Sequence, residues 1–316
     1  MTALSVVIAV RDVERYVTDL LLSLARNTRN DIEFIVVDDG SIDRTPEIVT
    51  AAKIPGLTLL RHARPLGPGA ARNTGLAAST GRHITYLDGD DWIRPGYLYE
   101  LLAAIEALGC DFVMSDHVRV TDTGRVVRRT PQGRRREVLR SRDGILPVTQ
   151  PSMVDYPYTW AGVYSRSLAD RGLLTFDPAL HTAEDRPWFW RLYREPATYA
   201  TVALRGVFYR RTPGSLTQRG DARMLHFFDA FDRVLRDLDD DPEPDRYRAK
   251  ALTTYFAMIA FHLSRRDRLP AELQRVLTAR ARSTISAVPP ETRTQLLPSM
   301  TEYRQDLFAS LLGIRV

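Results

Sequence analysis

The chain has 316 residues, with 44% hydrophobic and 26% charged residues and a formal net charge of +5. That balance excludes a collagen-like, disordered or disulfide-built protein, and at roughly 100–200 residues per domain it allows one large domain or two unequal ones. Cys110 is the single cysteine, so no internal disulfide and no cysteine-rich zinc site can form.

The first 120 residues alternate strand and helix. Leu4 to Val10 is a continuous apolar run of the kind buried in a parallel sheet. Asp12 is placed to cap a helix whose apolar positions are Val13, Tyr16, Val17, Leu20, Leu21 and Leu24. Ile32 to Val37 is a second strand, and Ser41 and Asp43 precede a helix from Thr45-Pro46 to about Lys53. Strands at Leu57 to Arg61, His83 to Leu87 and Cys110 to Ser115 follow, with helices over Pro68 to Ala78 and from Arg94-Pro95 to Leu108. Repeated strand–helix–strand units predict an α/β fold with a mostly parallel sheet flanked by helices.

Between Asp116 and Arg219 the pattern is mixed. Asp122-Thr123-Gly124 and Pro131-Gln132-Gly133 predict turns of a hairpin-like excursion. Helices are expected over Ser165 to Gly172 and Glu184 to Arg194, and strands over Tyr199 to Ala203 and Val207 to Tyr209. After Gly220 the strands stop. A stripe of Leu225, Phe228, Phe231, Leu235 and Leu238 opens a helical module continuing through Tyr247 to Ser264, Ala271 to Ala287 and Thr301 to Leu312. The expected division is an α/β domain over 1–220, its first half ending near 115, and a helical module over 221–316.

Ligands of an open parallel sheet bind beyond the carboxyl ends of its strands. Here the first strand runs into Arg11, Asp12 and Glu14, the second ends in Asp38-Asp39-Gly40-Ser41, and the fourth in Asp88-Gly89-Asp90-Asp91. So many carboxylates on one rim repel one another unless a cation joins them, and carboxylate oxygens suit Mg²⁺ or Mn²⁺. The natural guest is a metal-bridged nucleoside diphosphate.

These residues resemble the family 2 glycosyltransferases, which have the GT-A nucleotide-sugar fold. The resemblance is carried by Ser5 to Val10, EFIVVDDGSIDRT (Glu33 to Thr45), Gly69 to Gly75 (GAARNTG), TYLDGDDW (Thr85 to Trp92), and Ala183-Glu184-Asp185 before Trp188-Phe189-Trp190, over about the first 220 residues. It implies an inverting, metal-dependent transferase. Ala9, Arg11, Glu14 and Asp39 would line the nucleoside pocket, with Asp39 favouring uracil and hence a UDP-sugar. Arg72 would face the base or a phosphate. Asp88 with Gly89 would hold the ribose, and Asp90 a Mn²⁺ or Mg²⁺ ion, with Asp91 supporting it. Asp185 would be the general base. Arg210, Arg211 and Ser215 would contact phosphate, and Trp160 and Glu184 would border the acceptor. Two departures from the family pattern stand out. Ala9-Val10-Arg11-Asp12 replaces the usual Pro-Val-Tyr-Asn, and Gly89 replaces a commoner Ser, a change expected to matter little. Some relatives use a late His as a metal ligand; His226 is the candidate by position, but it lies on an expected helix and is not assigned that role.

The implied acceptor is a hydroxyl of a cell-surface glycan, a polyol-phosphate polymer or a lipid-linked precursor. Arg125 to Arg142 carries eight arginines against one acid, Glu137, which fits an anionic acceptor, a lipid headgroup surface or simply a solvated loop. The segment lacks the interleaved aromatics of a nucleic-acid surface. No apolar run is long enough for a signal peptide or a membrane span, so a cytoplasmic protein, at most held at the inner face of the membrane, is expected. The C-terminal helices offer a contact for a homo-oligomer. The competing readings are a sugar nucleotidyltransferase, which would want a glycine-rich loop where Ala9 to Asp12 stand, and a non-catalytic polyanion-binding domain.

Overall fold

The computed structural model describes residues 1–211, 220–296 and 300–313. In chain order the first half reads β1 (Leu4–Val10), α1 (Val17–Ala25), β2 (Ile32–Asp38), α2 (Thr45–Ala51), β3 (Leu57–Arg61), α3 (Pro68–Ala78), β4 (His83–Asp88), β5 (Trp92–Ile93), α4 (Tyr97–Leu108) and β6 (Phe112–Ser115). Then come β7 (His117–Thr121), β8 (Gly124–Arg128), β9 (Leu139–Arg140), β10 (Gly162–Ser165), α5 (Arg166–Asp170), α6 (Asp185–Arg194), β11 (Thr198–Val202) and β12 (Val207–Arg210). Among the described residues the chain continues with the α-helices α7 (His226–Asp239), α8 (Pro244–Leu263), α9 (Ala271–Ala287), α10 (Pro290–Leu296) and α11 (Glu302–Leu312).

Eight strands form one sheet in the order β3-β2-β1-β4-β10-β6-β11-β9. The apolar runs predicted as buried strands are its centre: Val6, Val7, Phe34, Val36, Ile84 and Tyr86 are excluded from solvent. The register pairs Val10 with Asp38 and Ala9 with Asp88, so the carboxyl ends of β1, β2 and β4 lie side by side. The sheet is not parallel throughout. β10 lies between β4 and β6, antiparallel to both, so the fourth and sixth strands are not neighbours as successive crossovers would make them. A second sheet, β5-β12-β7-β8, contains the predicted hairpin as β7 and β8 and joins it through β12 to Trp92 and Ile93, which immediately follow the acidic motif.

Asp12 does not cap α1. It sits at φ +50° and its Oδ1 accepts from the Ile42 amide at 3.0 Å, so the chain turns across to α2 before the helix begins at Val17. In the C-terminal half, Phe228, Phe231, Tyr255, Phe256, Leu277 and Phe308 build a second core among α7 to α11. This module also enters the first core: Val234, Leu238, Tyr247 and Ala251 pack with the sheet's own residues. The joint includes a buried ion cluster. Asp241, after α7, accepts from Arg142 at 2.6 Å and from Arg194, the last residue of α6, at 2.8 Å. No helix among the described residues is long and apolar enough to cross a membrane.

Candidate active site

The site is assembled where β1, β2 and β4 end. The Asp39 amide donates to Val10 O at 2.9 Å and the Gly89 amide to Ala9 O at 3.1 Å, so backbone bonds tie the DDGS and DGDD turns to the end of β1. A Cβ on Gly89 would stand 2.8 Å from Val10 Cγ1 and 3.1 Å from Val13 Cγ2. A side chain at this position would therefore press on Val10 and Val13, which favours glycine in this chain.

Within DGDD the three carboxylates have different fates. Asp88 accepts from Arg72 at 2.8 Å and is partly exposed. Asp90 is half-buried; loss of water, then the charge of Asp88, pushes its carboxyl up to about 6. Asp91 is fully buried: its Oδ1 accepts from the Arg210 amide at 2.7 Å, and its Oδ2 has no hydrogen-bond partner among the described residues. Burial, with Asp90 and Asp88 beside it, holds its carboxyl well above the ordinary range. A bare buried carboxylate oxygen next to two further acids is costly unless it binds a proton or a cation, and the donor set is all oxygen. These residues therefore fit a hard divalent cation. Among the described residues no three His, Cys, Asp or Glu side chains already converge as a ready-made cage. Mg²⁺ and Mn²⁺ sites that leave positions for phosphate and water need few protein ligands.

Arg72 departs from its expected position against base or phosphate. It projects from α3, is buried, and stacks on Phe176 with 5.2 Å to the ring centre. Its Nη2 donates to Asp88 and its Nη1 to Glu184 Oε1 at 2.7 Å, so one guanidinium joins the β4 turn to the residue preceding α6. Glu184 is thereby buried in an ion pair rather than presented to an acceptor. Asp185, the first residue of α6, keeps about 30% of its side chain exposed, with Arg186 Nε 3.9 Å away. Desolvation, aided by Glu184 and opposed by Arg186 and Arg72, raises its carboxyl to about 7. A carboxylate near neutrality is matched to accepting a proton from an alcohol.

The remaining candidates lie on three sides. Asp39 is buried; its Oδ1 accepts from His62 and the Leu66 amide, both at 2.8 Å, and its Oδ2 from the Gly67 amide at 2.9 Å, which leaves Oδ2 one lone pair. Ala9 is half-buried beside it. Arg11 is exposed and weakly paired with Asp12 at 3.5 Å. Glu14 points away: its carboxylate accepts from the Arg44 amide at 3.1 Å, clipping the loop to α2 instead of lining a nucleoside pocket. Arg210 was expected on phosphate, yet its Nε donates to Asp90 O at 2.9 Å and its Nη2 to Asp19 at 2.6 Å, between the rings of Tyr16 and Trp92. It braces the DGDD turn from behind. Arg211 is exposed and its amide donates to Val120 O. Ser215 lies outside the described residues. His226 Nδ1 accepts from the His181 amide at 2.9 Å, a structural contact.

Trp160 is core: it is 4% exposed and packs against His117, Tyr158 and Tyr209. Sequence reasoning missed this aromatic group. Tyr158 and Tyr209 are its half-buried members, and Tyr209 borders the acids: burial and then Asp91, with Asp88 and Asp90, push its hydroxyl upward. The rings come from segments some 40 and 50 residues apart and carry no shared local motif. The arginine-rich segment is also partly structural, since Arg135 pairs with Asp116, Arg142 with Asp241, Arg134 with Glu137, and Arg125 lies over Phe208.

The family model "Glycosyl transferase family 2" matches residues 5–171. The chain belongs to that family. An uncharacterized glycosyltransferase, EpsJ, of Bacillus subtilis is 30% identical over 230 residues, 68% of this chain and 62% of EpsJ. The succinoglycan biosynthesis protein ExoO of Rhizobium meliloti is 33% identical over 160 residues, 49% of this chain and 45% of ExoO. The chain thus spans less than two thirds of the length of these relatives. Among solved structures, Staphylococcus aureus TarS 1-349 superimposes with a TM-score of 0.72 at 20% identity, covering 99% of this chain and 90% of that one. TarS 1-349 in complex with UDP-GlcNAc gives 0.73 at 20% identity, covering 99% and 91%. At that identity the likeness establishes the GT-A fold.

Proposed function

We propose that the protein is an inverting glycosyltransferase that moves a sugar from a nucleotide-sugar, a UDP-sugar by preference, to a hydroxyl of a surface glycan, a polyol-phosphate polymer or a lipid-linked precursor. The observation that carries this reading is the double engagement of Arg72 with Asp88 and Glu184, which sets the donor-side acids and the residue beside Asp185 on one guanidinium. UDP as the nucleotide is supported by the remaining lone pair on Asp39 Oδ2, a fit for the N3–H of uracil, and by the TarS complexes with UDP and UDP-GlcNAc. A glycan acceptor is supported by the kinship with ExoO, a polysaccharide biosynthesis protein.

Each group of the chain has a task. Asp88, with one oxygen held by Arg72, presents the other to the ribose hydroxyls. Asp90, backed by Asp88 and Asp91, would hold Mn²⁺ or Mg²⁺, which when bound stabilises charge on the departing diphosphate. Arg210 fixes the Asp90 backbone so that this carboxylate keeps its aim. Asp185 takes the proton of the acceptor hydroxyl as its oxygen attacks the anomeric carbon from the face opposite the leaving group, which inverts the centre. Burial is the main source of the basicity of Asp185; the charge of Glu184 adds to it and the charge of Arg72 opposes it.

The test is hydrolysis of a panel of nucleotide sugars with Mn²⁺ or Mg²⁺ present. Release of UDP from one or more UDP-sugars is expected. Release from none, combined with retention on a polyphosphate column, would favour the polyanion-binding reading, and pyrophosphate-dependent formation of nucleotide sugar the nucleotidyltransferase.

A further inference from the structure

The second sheet leads away from the acidic turn. Its first strand, β5, follows DGDD directly; next comes β12 with Tyr209; then β7 and β8. Residues paired across strands share a face. Tyr209 pairs with Arg119, Arg119 with Val126, and His117 with Arg128. Tyr209, Arg119, His117 and Arg128 therefore occupy one face, and at about 4.8 Å per strand β8 lies roughly 10 Å from β12. Arg119 is half-buried, and its Nε is buried without a hydrogen-bond partner among the described residues. Arg128 is exposed, and neither arginine has an ion-pair partner among the described residues. Both bear on His117: burial and then Arg128 and Arg119 push its imidazole down to about 3, so it stays neutral between two uncompensated cations. Tyr158 packs on His117 with ring centres 4.5 Å apart and lies 6.2 Å from Tyr209, the ring that borders the acids.

The buried Arg72 and the partly buried Arg142 and Arg194 are neutralised by carboxylates, whereas Arg119, also partly buried, has no ion-pair partner among the described residues. A buried guanidinium nitrogen left without an acceptor, on a face that continues from the catalytic acids, asks for an anion. We propose that Arg119 and Arg128 are the anion-binding part of an acceptor track across the second sheet, and that the acceptor carries a fixed negative charge, as phosphodiester or carboxylate, within a unit or two of the hydroxyl that receives the sugar. Tyr158 and Tyr209 stack on the sugar or polyol between that charge and Asp185. This inference rests on the transferase reading above and names its acceptor class.

The test uses the full chain with UDP and Mn²⁺ present, titrated calorimetrically with a short polyol-phosphodiester oligomer, an oligogalacturonate and a neutral polyol of equal length. The same compounds serve as acceptors wherever transfer occurs. Wild type is expected to bind at least one charged oligomer about tenfold more tightly than the neutral one. Arg119→Gln and Arg128→Gln should each weaken that oligomer about tenfold, leave the neutral one within about twofold, and flatten the salt dependence. Whichever charged oligomer responds identifies the group. Equal affinity for charged and neutral oligomers, or equal losses on both in the variants, overturns the proposal. So does arginine-dependent sedimentation with phosphatidylglycerol vesicles while oligomer binding is unaltered, which would make this face a membrane surface. Donor hydrolysis by wild type reports separately on the transferase reading.

Discussion

At the scale of single residues, Arg72 and Asp185 divide the work between structure and chemistry. Arg72 is a buried cation with two carboxylate partners, so its removal strands Glu184 in a site with no other counter-ion among the described residues. Breaking such a pair costs about 3–5 kcal/mol. Arg72→Gln should lower the urea unfolding free energy by that order; a change below about 1 kcal/mol would show that the two acids find water or protons instead. Asp185→Asn should leave UDP affinity alone, not lower stability at neutral pH or above, and reduce kcat by about 10²–10⁴-fold, as expected for loss of a general base. A base acts when ionised, and this carboxyl is raised to about 7, so wild-type kcat should climb through neutrality and level above it. A flat wild-type profile from pH 5 to 9, together with undiminished turnover by the Asp185→Asn variant, would remove the residue from this role.

At the scale of elements, the outcome depended on whether the determining contacts were local. The strands β1 to β4 and helix α3 were legible because each is a run of apolar residues or a glycine- and proline-marked helix that identifies itself without its neighbours. The end of each strand therefore located the acidic turns correctly. β10 was not legible as a strand between β4 and β6, because its place is set by Tyr164 pairing with Ile84 and Phe112, some 80 and 50 residues away. The braces were equally hidden: Arg210 meets Asp90 and Asp91 across about 120 residues, and its run Arg210-Arg211 looks the same whether it faces a phosphate or the back of a turn. The DGDD turn itself yields a test of this packing. Gly89→Ser should destabilise by about 1–3 kcal/mol, as overpacking does, and Val10→Ala in the same chain should recover part of that loss. The coupling is read from a double-mutant cycle, and strict additivity would mean that Val10 is not what excludes the side chain.

At the scale of the molecule, the site stores unfavourable charge that the rest of the fold must carry. Asp90, Asp91 and Asp185 all have carboxyls raised above their unfolded values. Such groups add stability that is complete below about pH 4 and is lost as pH rises through their folded values, near 6 and 7 for Asp90 and Asp185. Asp241 acts in the opposite sense. Despite its burial, the bonds from Arg142 and Arg194 hold it down to about 2, so its contribution is present above about pH 4 and fails only in stronger acid. The cation-free protein should accordingly lose melting temperature between pH 5 and 8, and Mn²⁺ should restore more at pH 8 than at pH 5. A Tm that is level over that range, with equal metal effects at both ends, would contradict the charge account. The same joint, Arg142–Asp241–Arg194, ties the end of α6 to the helical module, so the helix that begins with Asp185 is held at its far end by Arg142, inside the matched family region, and by Asp241, outside it.

Metal-assisted grip on the donor is tested most directly by calorimetric titration of UDP into wild type and Asp90→Ala, each with and without Mn²⁺. Tighter UDP binding with the metal in wild type, and no such enhancement in the variant, is the predicted result. Enhancement of equal size in both proteins, or none in wild type, would contradict it.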